Sequence, residues 1–302
     1  MFEQKPIALG QSGMVQGLLL ALAAATIYGF LGISFEIAAK RHYAVWDVIL
    51  YKQLTGFFIG LAFTATLGLP LYSPYLVGLG LIGAVAYVVT LAAYLTASRE
   101  RDIAANWTIV NLSVALPILV SVFWFKDDFT TLKGIGVVLT LTSIALIGGG
   151  RTQSAGTGHR SRWLKFISIA FLLNGVLVIL FRFVPDGYAA LFTVYFYGIS
   201  FLIVLPYKLY RRSELLPARG LFIVSAGGAA THWSGIMLTM AALSAAGSAT
   251  ANAGVIIYPI TNGLVIPIGV MLGVWLLNQK LVRRTAVGVA VGMAALVFLF
   301  LP

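Results

Sequence analysis

Residues 148–162 read GGGRTQSAGTGHRSR, and no other part of the chain stays free of large apolar side chains for so long. Gly, Ser and Thr make this stretch a flexible connector, and Arg151, His159, Arg160 and Arg162 keep it in water. Residues 1–150 before the linker at 151–162, and residues 163–302 after it, show the same rhythm of five long apolar segments. That is the pattern of a membrane protein made from two copies of one unit.

A spanning helix needs roughly 20 apolar residues. Runs of that kind occur at 14–37, 45–69, 74–97, 103–124, 131–149, 163–182, 188–207, 218–243, 248–277 and 281–301, ten in all. Apolar strands of a membrane barrel alternate with polar residues; these runs do not, and backbone groups in lipid must be satisfied internally. The reading is an all-α polytopic protein with ten transmembrane helices. Composition agrees: 60% of the 302 residues are hydrophobic and 10% charged, against about 25% charged in soluble domains, and mean hydropathy is +0.97. The first run is too long for a signal-peptide core and reads as a retained spanning helix. With no cysteine, disulfides and thiol chemistry are excluded.

The net charge of +11 is spread over short connectors rather than gathered into a nucleic-acid patch. Fifteen of the 20 Lys and Arg residues fall in or beside the loops after runs 1, 3, 5, 7 and 9. By the positive-inside rule those loops are cytoplasmic and both termini face outward, in a membrane expected to be the bacterial inner (plasma) membrane.

Shifting the sequence by 146 aligns residues 24–106 with 170–252 without a gap. Gly29 falls on Gly175, Leu31 on Leu177, Ile33 on Ile179, Phe35 on Phe181, Val48 on Val194, Tyr51 on Tyr197, Ser98 on Ser244 and Asn106 on Asn252. After one insertion the register resumes at about 150–152, with Pro117 near Pro267 and Gly136 on Gly288. Five helices per copy is an odd number, so the second copy enters the membrane from the opposite side. Inverted repeats are a recurring device of secondary transporters.

Several motifs carry a resemblance. Run 1 contains ALAAATIYGFLGISFEIAAK, with Tyr28-Gly29 and Lys40. Runs 3 and 4 join as AAYLTASRERDIAANWTIVNLSVALPILVSVFWF around Pro117, and the second copy repeats the arrangement as ALSAAGSATANAGVIIYPITNGLVIP, ending at Pro267. These resemble EamA-type members of the drug/metabolite transporter superfamily. At the entries to runs 5 and 10 the family commonly places Glu about nine residues before Gly; here Asp127 and Gln279 precede Gly136 and Gly288. The resemblance implies a ten-helix metabolite transporter. It also implies cytoplasmic termini, against the charge count.

Ionisable groups inside a bilayer are costly and mark candidate sites. Glu36 and Lys52 lie toward the same membrane face, so they are expected either to pair or to meet a substrate: Lys52 its anionic group, Glu36 its cationic group or a proton. Arg182 occupies the repeat position of Glu36 on the opposite face and reads as a snorkelling side chain. Asn106 and Asn252 recur near the starts of runs 4 and 9, as helix caps or cavity residues; Asn111, Asn174 and Asn262 lie deeper and need partners. Tyr28, Tyr51, Tyr87, Tyr94, Trp107, Tyr197, Trp233 and Tyr258 are the aromatic candidates for cavity walls, with Tyr51/Tyr197 and Tyr87/Trp233 matching across the repeat. Gly56-Gly60, Gly269-Gly273 and Gly288-Gly292 allow close helix approach. Pro117, Pro259 and Pro267 are expected to kink their helices.

No metal-binding protease motif, phosphate loop or Ser/His/Asp set is present, and His42, His159 and His232 are too scattered for a metal site. The expectation is therefore a transporter without cofactor, carrying a small amphipathic metabolite, with an amino acid or related organic acid favoured and efflux the expected direction. A cation or drug exporter of the same fold is the alternative within transport. A polytopic enzyme acting on lipid intermediates and a structural or sensory subunit are the others. Partners are the lipid bilayer and the substrate. Ten helices enclose a pathway within one chain, so a monomer suffices and a homodimer stays open.

Overall fold

The computed structural model describes residues 6–100, 103–125, 130–148, 157–211, 217–247, 253–277 and 283–300. Each of the ten apolar runs is mostly helical in its described part, and no strand occurs among the described residues. In chain order the helices are α1 (Pro6–Lys40), α2 (Val45–Thr66), α3 (Pro74–Ala97), α4 (Ile103–Asn111), α5 (Ala115–Phe125), α6 (Thr131–Gly148), α7 (Thr157–Leu180), α8 (Ala189–Tyr210), α9 (Arg219–Gly247), α10 (Ala253–Gly263), α11 (Val265–Leu277) and α12 (Arg283–Phe300). Among the described residues seven helices are long and apolar enough to cross a membrane: α1, α2, α3, α7, α8, α9 and the continuous α10–α11 pair. Two shorter apolar helices lie at Ala105–Val120 and Gly134–Ile147.

Large apolar side chains such as Leu19, Phe58, Val138, Leu202 and Met271 are each more than half exposed. A water-soluble surface does not carry so many, whereas hydrocarbon accepts them. The chain is an all-helical, multi-pass membrane protein.

The helix ends follow local chemistry. Ser73 caps α3, its hydroxyl accepting from Leu76 N at 3.4 Å ahead of Pro74 in the first turn. Beyond α1, His42 turns left-handed (φ 54°), with Tyr43 N donating to Ala38 O and His42 N to Ala39 O. This is the paired closing pattern usually built on Gly. Two helices begin earlier than hydropathy predicts: α1 at Pro6, and α7 at Thr157, inside the expected linker. The hydrophobic window marks the bilayer portion, and intrahelical hydrogen bonding continues past it into polar residues.

The expected proline breaks are real at two of three positions. A 3₁₀ turn at Leu112–Val114 interrupts the fourth run one turn before Pro117, and α10 gives way to α11 at Leu264, just before Pro267. Proline has no N–H for the carbonyl four residues back, so the helix loosens there. Pro259 lies within α10 without interrupting it.

The most extensive helix contacts all join the first half of the chain to the second: α1 with α9, α6 with α12, α2 with α8, α3 with α7, α3 with α8 and α2 with α9. Small residues let these helices approach. Ala21, Ala24, Ala25, Ala242 and Ala246 are fully buried, and a Cβ on Gly17 would lie 2.9 Å from that of Ala246. Gly56 and Gly60 face Tyr197 and Thr193 of α8, Gly269 faces Trp107, and Gly288 and Gly292 face α6, where the Ser143 hydroxyl donates to Gly288 O at 2.6 Å. The glycine pairs are thus protein contacts within the bundle. At one membrane face Lys208 Nζ donates to Asp47 Oδ1 at 2.6 Å, tying α8 to α2.

Candidate functional site

A cavity of about 80 Å³ lies inside the bundle, bordered by α1, α3, α4, α7, α8, α9 and α10. Matching positions of the two halves line it together: Leu31 with Leu177, Phe35 with Phe181, and Tyr28 with Asn174. A register of 151, within the shift read from the sequence, also puts Asn111 on Asn262, and both line it too.

Behind one wall sits Lys52, fully buried. Its Nζ lies 3.1 Å from His232 Nδ1, 4.7 Å from the Tyr87 ring centre, 5.3 Å from that of Tyr197 and 6.0 Å from that of Phe35. No carboxylate pairs with it among the described residues. Aromatic faces compensate a cation in part, at distances within about 6 Å. The Tyr197 hydroxyl also reaches His232 Nδ1, at 2.7 Å, and the Tyr87 ring stacks on the imidazole with centroids 4.6 Å apart and planes 10° apart. With Lys52 protonated, its ammonium and the Tyr197 hydroxyl both donate, so that Nδ1 accepts and Nε2 carries the ring proton. His232 lines the cavity, with Lys52 Nζ behind its Nδ1. The wall residues also hold polar atoms with no hydrogen-bond partner among the described residues, such as the Tyr87 hydroxyl, Thr90 Oγ1 and Trp107 Nε1. Buried polar atoms are rarely left so.

The two ends of the cavity differ. Toward α1's C-terminus, Phe35, Tyr94 and Trp107 border it and pack on one another, with ring centres 5.8, 6.4 and 5.9 Å apart. Toward the other face Phe181 borders both the cavity and a vestibule of about 800 Å³. Arg182, Asp186, Met237, Met240 and Gly254 line that vestibule.

The sequence-derived candidates divide accordingly. Tyr28, Tyr87, Tyr94 and Asn174 line the cavity; Lys52 and Tyr197 stand immediately behind it. Glu36 does not pair with Lys52, as expected from their depth, and does not line the cavity. It is held by Lys40, one helical turn on, at 3.2 Å. A partner at i+4 on the same helix is nearer than one on another helix. Asn106 does not line the cavity: Trp163 Nε1 donates to its Oδ1 at 2.7 Å, and its Nδ2 donates to Ser98 Oγ at 3.4 Å, tying α4 to α7. Trp233 turns from the cavity to donate to Thr193 Oγ1 at 3.0 Å and pack on Phe63. Tyr51 and Tyr258 are buried but do not line the cavity. Of the two matched aromatic pairs, one member each serves the site, because a repeat fixes depth and not facing. Asn252, Asp127 and Gln279 lie outside the described residues. Sequence reasoning missed His232 and Thr90. The signal for His232 was present: an ionisable residue in the middle of a spanning helix.

No family model matches the chain, and no curated protein matches it. Among solved structures, one crystal structure without a functional name is similar over 93% of this chain and 97% of its own, with a TM-score of 0.60 at 16% identity. At that identity the likeness concerns the fold alone.

Proposed function

We propose that the chain is a secondary transporter in which two inverted five-helix repeats, ten spanning helices together, move a small amphipathic metabolite through the central cavity by alternating access. The observation that carries this reading is the cavity itself, lined by matching residues of both halves, with an aromatic trio at one end and a vestibule toward the other. The packing supports it as well. Exchanging the halves turns the α1–α9 contact into α7–α3 and the α2–α9 contact into α8–α3, while α2–α8 and α6–α12 map onto themselves; all six are among the extensive contacts. Likewise Gly29 is backed by Ile268, and its counterpart Gly175 by Leu116. The EamA-type motifs around Tyr28-Gly29, Pro117 and Pro267 point the same way.

The cargo carries an anionic group that meets His232 Nε2–H, with Lys52 supplying the countercharge; an amino acid or related organic acid, moved outward, fits this best. Nothing in the cavity favours the cation-exporter alternative through Glu36, which stands apart from it.

Purified protein in liposomes is expected to give saturable flux of labelled amino acids or small organic acids. Vesicles with no flux above empty controls for either class would end this reading. Inverted insertion has its own test, simplified by the absence of cysteine. Lys40→Cys and Arg182→Cys are expected to react with an impermeant maleimide from opposite membrane faces, Lys40→Cys from the cytoplasmic one. Labelling of both from one face would rule out the inverted arrangement.

A further inference from the structure

Three asparagines border the cavity: Asn111 at the end of α4, Asn174 on α7 and Asn262 on α10. Each donates from its amide nitrogen to the protein, Asn174 and Asn262 with both N–H groups and Asn111 with one. Asn111 Nδ2 donates to Trp107 O at 2.8 Å, Asn174 Nδ2 to Val110 O at 3.3 Å and Ser113 Oγ at 2.9 Å, and Asn262 Nδ2 to Tyr258 O and Thr261 Oγ1, both at 3.1 Å. A backbone carbonyl only accepts, so these bonds fix which end of each amide is nitrogen. In all three the oxygen remains, with no protein donor among the described residues.

We propose that the Oδ1 atoms of Asn111, Asn174 and Asn262 form a subsite for the primary ammonium group of the transported molecule. An ammonium presents three N–H donors and no acceptor, and three neutral acceptors bordering one small space match that number. A dedicated metal cage is a poorer match, since hard cations take about six or more oxygens. Neutral oxygens also hold a cation without placing fixed negative charge in the bilayer, which is costly. This subsite takes the role that sequence position assigned to Glu36. Resting on the transporter reading above, it narrows the cargo to a zwitterion, with its anionic group on His232 and its ammonium on the three amides.

The test is binding to the purified full-length protein in detergent, followed by calorimetry, with the common L-amino acids, their N-acetyl derivatives and the corresponding 2-hydroxy acids as probes. Amino acids that bind are expected to lose at least about tenfold in affinity when acetylated or when hydroxyl replaces the amine. Asn262→Leu and Asn111→Leu are expected to weaken the amino acid by a similar factor while leaving the 2-hydroxy acid within about twofold. A 2-hydroxy acid that binds as tightly as its amino acid overturns the subsite, as does a panel in which no primary amine binds. Flux of 2-hydroxy acids alone in liposomes would sink the subsite and leave transport standing. Amine-selective binding without flux would do the reverse.

Discussion

Lys52→Met is expected to lower both affinity and flux for an anionic cargo by roughly 10- to 100-fold while leaving the melting temperature unchanged or raised. A hydrogen bond that involves a charged group contributes about 1.5–3 kcal/mol, and losing the ammonium removes the charge behind His232 Nε2–H. Stability moves the other way for a physical reason. Lys52 is fully buried, with an imidazole and aromatic faces around it and no carboxylate among the described residues. Replacing a buried charge with an apolar side chain of similar volume is often neutral or stabilising. Met keeps the volume, and His232 keeps the Tyr197 hydroxyl at 2.7 Å. The two readouts together decide the role. Thermal unfolding that falls along with binding would make Lys52 a structural residue, and unchanged binding would remove it from the site.

Trp107→Ala is the second large effect. The indole is held in a slot between Gly32 of α1 and Gly269 of α11, where an added Cβ would lie 3.1 Å and 2.7 Å from the ring. It packs edge-on against Phe35 and Tyr94 at one end of the cavity. Truncating a buried aromatic costs about 3–5 kcal/mol, because the site collapses only in part. The variant is expected to unfold at lower temperature and to open that end. A cysteine at Thr90, on the cavity wall and 4% exposed, reports this directly. It is expected to be protected from an impermeant reagent applied at the Lys40 face in the otherwise unmodified chain and labelled once Trp107 is Ala. Equal labelling in the two backgrounds would show that the aromatic trio is not the seal.

The aromatic trio and the vestibule give the cavity two unlike ends. Phe35, Tyr94 and Trp107 border it on one side, while on the other Phe181, the counterpart of Phe35, borders both cavity and vestibule. Met240, the counterpart of Tyr94, lines the vestibule. An aromatic at one end is thus met by a flexible thioether at the other, so the two closures need not be equally tight.

The sequence by itself determined the membrane class, the helical content and two of the three positions where helices were expected to break. Those properties depend on quantities that run along the chain: apolar length, connector charge, and proline's missing N–H at Pro117 and Pro267. It also singled out Lys52, since an ionisable group in hydrocarbon is conspicuous without any fold. Facing was decided only by the tertiary structure. A lipid-exposed helix is apolar on every side, so periodicity does not separate the cavity wall from the lipid surface. That is why Tyr87 and Trp233, equal in depth, part company, and why Glu36 pairs along its own helix while Lys52 finds His232, 180 residues away. The amide oxygens of Asn111, Asn174 and Asn262 follow the same logic. Which end of an asparagine is spent depends on the backbone carbonyl beside it, and only packing brings the two together.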